Sequence, residues 1–490
     1  MSYTKTLSNH SIKRSALLCV VLGVGAPVAW AQLLFTSPQK LNSSAGSTGI
    51  GEPLIAVDNL GNINAVWVEP TSAANIMFSR STDGGLTFSR PLNVSNNPGG
   101  ALAPSLALDG NGNINLAWTG SANFVGRPND IFFTRSTDGG NSFSIPIDVS
   151  VGQPAGGGFS PSLALDAVGN LNLVWSGCFD VPCSTNSPVF FSRSSDGGAT
   201  FSAPVQVSND QTQIPQVVVD AGGNIDVVWS ELVNGGGFAS PVFFSQSSDG
   251  GATFSTPITV SGTTFFPSDE KMAVDSRGNI YIVENLHPTQ NGGPDGDIWL
   301  AASSDGGATF SMINLSNNPG SDGPARARIA LDSAGNINVV WVNQALLQVL
   351  FRRSTDGGAT FSDPVNLANL SSGFINQPQI AVDTCGNISV AWDQNTNPFF
   401  NVLVSRSGDG GSTFSSPQTV SHDQGNSEFP MIAVDSLDIY AVWQDDSPHQ
   451  GSQHVWNILF SRGVTTKPIS SGCAALPLPS PIRLGSLTKR

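Results

Sequence analysis

A closed ring of repeated four-stranded antiparallel units, a β-propeller, is the fold this sequence predicts. Three observations lead there. The phrase STDGGLTFS at Ser81 returns, slightly altered, at Ser136, Ser194, Ser247, Ser303, Ser354 and Ser407. Every copy sits at the same place in a unit of about 54 residues. Within each unit, short runs rich in Val, Ile and Phe alternate with Gly/Asn/Asp turns, and no helical period intervenes.

The elements follow in a fixed order. An apolar run ending in Asp opens the unit, as in LIAVD to Asp58, and recurs up to Asp109, Asp166, Asp220, Asp275, Asp332, Asp383 and Asp435. This is strand A. A turn such as Asn59-Leu60-Gly61-Asn62 leads into INAVW, whose alternating faces make strand B. A connection of variable length precedes IMFSR, strand C; the STDGG turn then leads into FSRPLNVS, strand D. A four-stranded sheet cannot bury both faces alone, so the units must stack, and stacking round a circle gives blades of a propeller.

S-x-D-x-G-x-T-F resembles the Asp-box, or BNR repeat, of sialidases and related propellers, and the resemblance covers nearly all of the chain after its first segment. It marks Asp83, Asp138, Asp196, Asp249, Asp305, Asp356 and Asp409 as structural box residues. The physics agrees, because Asp and Ser can bond the backbone of their own turn. Gly84 and Gly85 permit positive φ, and Phe88 is available to pack between blades. The resemblance implies that the boxes lie away from the functional face.

Eight strand-A runs stand against seven boxes. The last unit reads NILFSR from Asn457 to Arg462 and then continues without an Asp, whereas Phe35 to Asn42 resembles the D strand from Phe88 to Ser95. The N-terminal strand is therefore expected to complete the last blade and seal the ring. Eight blades are expected, or seven if one unit is irregular.

Residues 1–31 read as a signal peptide: Lys13 and Arg14, an apolar stretch from Ala16 to Val28, then Ala29-Trp30-Ala31. The apolar stretch is short for a membrane span. A secreted or periplasmic protein is expected, with the propeller over 32–463 and a Pro/Ser-rich tail over 464–490. The formal net charge is −15 and only 12% of residues are charged. Such a surface repels phosphate backbones and lacks the basic patches that draw proteins to anionic membranes, which argues against nucleic-acid partners and membrane insertion. A monomer is expected. Four cysteines follow the leader; Cys178 with Cys183 would close a small loop, and Cys385 with Cys473 would pin the tail.

Strand direction alternates, so A–B turns and boxes share one face and B–C and D–A connections share the other, here called the loop face. The variable connections make the loop face the expected site of function. In the family, the resemblance implies an arginine triad, a Tyr nucleophile activated by Glu, and an Asp acid/base. This chain departs from that set. Tyr281 and Tyr440 are its only tyrosines after the leader and fall near the box face. Arg80, Arg135, Arg193, Arg353, Arg406 and Arg462 repeat one position beside the box, leaving Arg127, Arg326 and Arg328 near the loop face.

Two groups on the loop face could carry chemistry. His422, His449 and His454, with Asp423, Glu428, Asp445 and Asp446, flank the last blade, and His287 maps to the same face. Imidazoles with carboxylates could hold a divalent metal, though a solvated polar loop has the same composition. No other cofactor is expected. Glu69, Glu231, Glu284, Asp393 and Asp445 follow strand B and could form a glycosidic carboxylate pair, although repeat spacing also suits an acidic rim. Seven tryptophans from Trp67 to Trp443 recur at one repeat position, which marks packing between blades. Asp109 to Asn113 lacks the acidic residue that would end a Ca²⁺ loop. The expectation is a non-catalytic module binding glycan or an extracellular protein through its loop face; the alternative is a glycoside hydrolase.

Overall fold

The computed structural model describes residues 33–42, 51–70, 74–96, 99–121, 130–151, 157–177, 187–209, 212–231, 241–261, 270–286, 297–316, 326–395, 398–421, 425–447 and 455–465. These form eight antiparallel sheets in a ring, an eight-bladed propeller with no helix among the described residues. Blade one comprises strand A at Leu54–Val57, B at Ile63–Pro70, C at Ala74–Ser81 and D at Leu92–Asn93. The A strands of successive blades pack against one another around the axis, and D lies at the rim.

Ring closure is as expected. The last blade takes A from Ser427–Val434, B from Asp438–Asp445 and C from Asn457–Thr465. Strand C thus runs two residues into the stretch assigned to the tail. Its outer partners are Leu33–Phe35 and Gln39–Lys40 from the other end of the chain.

Between blades, the core is made of strand-B tryptophans and strand-C phenylalanines. Trp67, Trp118, Trp175, Trp229, Trp341, Trp392 and Trp443 are all fully buried, as packing residues should be. Each box Phe reaches the preceding blade: Phe88 meets Phe460 edge-on at 4.7 Å, and Phe143 meets Phe78 at 5.1 Å. Gly85 shows why the box needs glycine, since at φ 86° a Cβ there would lie 2.6 Å from the Phe460 ring.

Within a box, the Ser81 hydroxyl donates to Asp83 Oδ1 at 2.7 Å and accepts the Gly85 N–H at 2.8 Å. Thr87 donates its N–H at 2.9 Å and its hydroxyl at 2.5 Å to the same carboxylate. The arginine beside the box has a structural task. It bridges to the Asp of its own blade's A–B turn, as in Arg80–Asp58 and Arg353–Asp332 at 2.7 Å, and seats its guanidinium against the box of the next blade.

These bonds have a consequence in acid. In Asp138, Asp196, Asp249, Asp305 and Asp356 the hydroxyl four residues on, then its N–H, then the serine two residues before, hold the carboxyl at about 2. The native pKa lies below the ordinary value, so this stabilisation is complete above about pH 4 and fades as pH falls towards 2. In an acid titration followed by far-UV circular dichroism, the sheet signal is expected to persist to about pH 3. Cooperative unfolding already complete at about pH 4 would contradict it.

Candidate functional site

The loop-face end of the inner strand carries a repeated distortion. Glu52, Ala103, Ser160, Ile214, Gln377 and Phe429 have φ between 36° and 55°, and each directly precedes a proline, from Pro53 to Pro430. In five of these blades the A–B ladder slips register at that point. A non-glycine residue in this region costs about 1–3 kcal/mol, and such strain collects at functional sites. In blades five and six Glu270 and Ala327 replace the proline, and Arg326 occupies the bulge position of blade six. These residues encircle the mouth of the axis. Ile214 is 57% exposed and Phe429 42%, and Phe374 nearby on the blade-seven inner strand is 60% exposed.

The mouth is tied across neighbouring blades. Ala103 donates its N–H to Glu52 Oε2 of the previous blade at 2.9 Å. Phe429 does the same to Asp393 Oδ2 at 3.0 Å. Asp393 is 2% exposed, and burial pushes its carboxyl up to about 7. The Phe429 N–H counters that rise, Glu428 adds to it, and Arg326 again opposes it. Blades six, seven and eight thus place Arg326, Asp393, Glu428 and Phe429 within electrostatic reach of one another, across a stretch of more than a hundred residues of sequence.

The other carboxylates expected after strand B have separate places. Glu69 Oε2 accepts the Trp67 indole N–H at 3.2 Å, and Glu231 Oε1 accepts that of Trp229 at 2.8 Å. Gln394 serves Trp392 likewise at 2.9 Å. The two-residue spacing puts both side chains on one face of the strand, a signal legible as W-x-E or W-x-Q that the sequence reading missed. Asp445 accepts the Ser427 hydroxyl at 2.5 Å and the Ser447 N–H at 2.8 Å. Asp446 accepts the Asn426 N–H and its side-chain amide.

Glu284 requires a correction. None of Glu69, Glu231, Glu284, Asp393 and Asp445 follows strand B, since all five lie within it, and Glu284 stands furthest in, opposite Trp299, at the register position held by tryptophan in every other blade. It is fully buried. Burial first, then the charge of Glu270, pushes its carboxyl up to about 8, and the Ser261 hydroxyl offsets little of that. Neither carboxylate oxygen makes a hydrogen bond of normal geometry among the described residues.

Tyr281 and Tyr440 lie at the box face, bonded to Asp275 at 3.4 Å and Asp435 at 2.8 Å. Among the described residues, no group of three or more His, Cys, Asp or Glu side chains is placed to hold a metal. His287, His422, Asp423, His449, His454, Arg127, Cys178, Cys183 and Cys473 lie outside the described residues. Cys385, in an A–B turn, is disulfide-bonded.

No protein-family model matches the chain, and no curated protein matches it. Among solved structures, it is similar to an ulvan lyase bound to a glucuronate–rhamnose sulfate unit, with TM-score 0.49 and 13% identity over 84% of this chain and 94% of that one. It is also similar to an α-L-arabinofuranosidase from Fusarium graminearum, with TM-score 0.44 and 11% identity over 74% and 93% of the two chains. A Hadza microbial sialidase gives TM-score 0.39 and 14% identity over 68% and 74%. Likeness this distant assigns neither substrate nor chemistry.

Proposed function

We propose that this chain is an exported, non-catalytic carbohydrate-binding propeller whose site is the axial mouth of the loop face. The observation that carries the reading is the ring of strained bulge residues, which holds Phe429 exposed next to Glu428 and with its N–H on Asp393, within the electrostatic reach of Arg326. An exposed aromatic face among charged and amide groups suits a sugar ring, which offers C–H patches to stack and hydroxyls to bond. The carboxylates nominated for hydrolysis are meanwhile engaged in the fold: Glu69 and Glu231 hold indoles, and Asp445 holds a turn.

In an oligosaccharide array with affinities measured by titration calorimetry, Phe429→Ala is expected to weaken the best ligand by up to about tenfold, consistent with the loss of one stacking contact. Fluorogenic glycosides are expected to remain intact. An unchanged affinity in Phe429→Ala would remove the reading. A hydrolase is favoured by one observation, the Asp393 carboxyl held at about 7 beside Glu428, as a proton donor beside a carboxylate would be. Glycoside turnover in the wild type that is lost in Asp393→Asn would establish that alternative.

A further inference from the structure

Blade five breaks the arginine rule of the box face. At the strand-C position paired with residue two of strand B, the blades carry Arg80, Arg135, Arg193, Gln246, Ala302, Arg353, Arg406 and Arg462 in turn. Gln246 keeps a polar contact, donating to Asp226 at 2.7 Å. Ala302 has nothing to donate. The space that an arginine fills between successive blades is here a pocket of about 490 Å³. Asp275 lies on one side, the Asp356 box and Gly357 on the other, with Tyr281 and Arg277 also on its wall.

Asp275 is the blade-five counterpart of Asp58 and Asp332, which bind guanidinium groups at 2.7 Å. It keeps the turn bonds of its counterparts, from the Asn279 N–H and side-chain amide, and adds the Tyr281 hydroxyl at 3.4 Å. Strand C of its blade supplies no guanidinium, and the nearest arginine of the blade is Arg277, whose N–H caps Asp275 and whose side chain stands on the pocket wall. Blade eight also has a tyrosine at this register position, and there the Tyr440 hydroxyl takes the turn Asp435 at 2.8 Å while Arg462 binds Asp438 of strand B at 2.5 Å, so tyrosine and a guanidinium fit one blade end together. The pocket therefore has the size, the carboxylate and the neighbouring box of a guanidinium seat.

We propose that this pocket binds a guanidinium group from outside the chain, the side chain of an arginine, with Asp275 as its carboxylate partner. The site is on the face opposite the proposed carbohydrate mouth and does not depend on it. Planar, forked donors suit it better than an ammonium, as the six internal arginines show.

Titration calorimetry of the wild type with Nα-acetylarginine amide is expected to give a millimolar or tighter Kd. The citrulline isostere, which keeps the shape and loses the charge, should bind at least about tenfold more weakly. Ala302→Arg restores the residue common to six blades, so it should fold and should abolish binding; Asp275→Asn should weaken it about tenfold or more. Tighter binding of the capped amide than of free arginine would assign the ligand to a peptide side chain, and the reverse order to the free amino acid. Equal binding of the citrulline isostere, full affinity in Ala302→Arg, or no heat up to about 20 mM ligand would each overturn the proposal.

Discussion

A chain beginning at Ser43 is expected to melt about 5 °C below one beginning at Gln32. The removed segment reproduces a D strand bond for bond. In blade one, Ser79 donates its hydroxyl to the Ser89 carbonyl at 2.7 Å, and the Arg80 N–H meets the Ser89 hydroxyl at 3.0 Å. In blade eight, Ser461 and Arg462 make the same two bonds to Thr36 at 2.7 and 3.0 Å. Further along, the Ile458 N–H meets Asn42 Oδ1 at 3.0 Å, where the Ile76 N–H of blade one meets the Ser95 hydroxyl at 3.1 Å.

Burial supplies most of the energy. Leu33 and Leu41 are 4% and 5% exposed, and the half-buried Phe35 ring lies over Gly463. At about 1.5–3 kcal/mol for each large apolar side chain, with smaller net gains from the hydrogen bonds, the loss is about 5 kcal/mol. That is a large share of the stability of an ordinary domain. The truncation also bares the outer edge of Asn457–Thr465, a row of unpaired backbone groups ready to pair with another chain. Calorimetry should therefore show the lower midpoint, and light scattering the growth of larger species. An unaltered midpoint in a monodisperse monomer would refute the closure described above.

Much of this was legible in the sequence because repetition makes each residue comparable with its seven counterparts. The match of Phe35–Asn42 to Phe88–Ser95 located the seam, and the recurrence of arginine beside the box marked it as structural. Sequence reading failed where a position had to be counted along a strand. Glu284 reads as one of a group after strand B, whereas counting from Ile280, the paired first residue of strand B, puts it on the tryptophan position. The bulges were missed for another reason. A proline in an inner strand reads as an interruption, and a left-handed residue before it contradicts local preference, so only tertiary packing can impose it. The cluster of Arg326, Asp393, Glu428 and Phe429 was beyond reach because three blades contribute to it.

The second large effect concerns that buried carboxyl in blade five. Glu284 faces Trp299 across the ladder, so the indole that other blades carry on strand B stands here on strand C, with a carboxyl left in its former place. Its native pKa is about 8 against an ordinary 4.5, so the folded state binds a proton that the unfolded chain releases. The sign follows directly. Below about pH 4.5 both states hold the proton and there is no penalty; stability then falls with rising pH and levels off above about 8.

By pH 7 that penalty is about 3 kcal/mol, at 1.36 kcal/mol for each pH unit between the unfolded pKa and the solution. Glu284→Gln keeps the size and hydrogen-bonding character of the neutral acid and cannot ionise. It is expected to match the wild type near pH 4.5 and to exceed it by about 3 kcal/mol at pH 7 in denaturant titrations. Glu270→Gln removes the neighbouring charge that helps to raise the Glu284 pKa, so the decline should still begin near pH 4.5 but level off at a lower pH and with a smaller total loss. A Glu284→Gln chain whose advantage did not grow with pH would mean that the carboxyl is ionised in the fold. A cation or water would then have to reach it, and blade five would be open at its loop-face end and not packed like its seven neighbours.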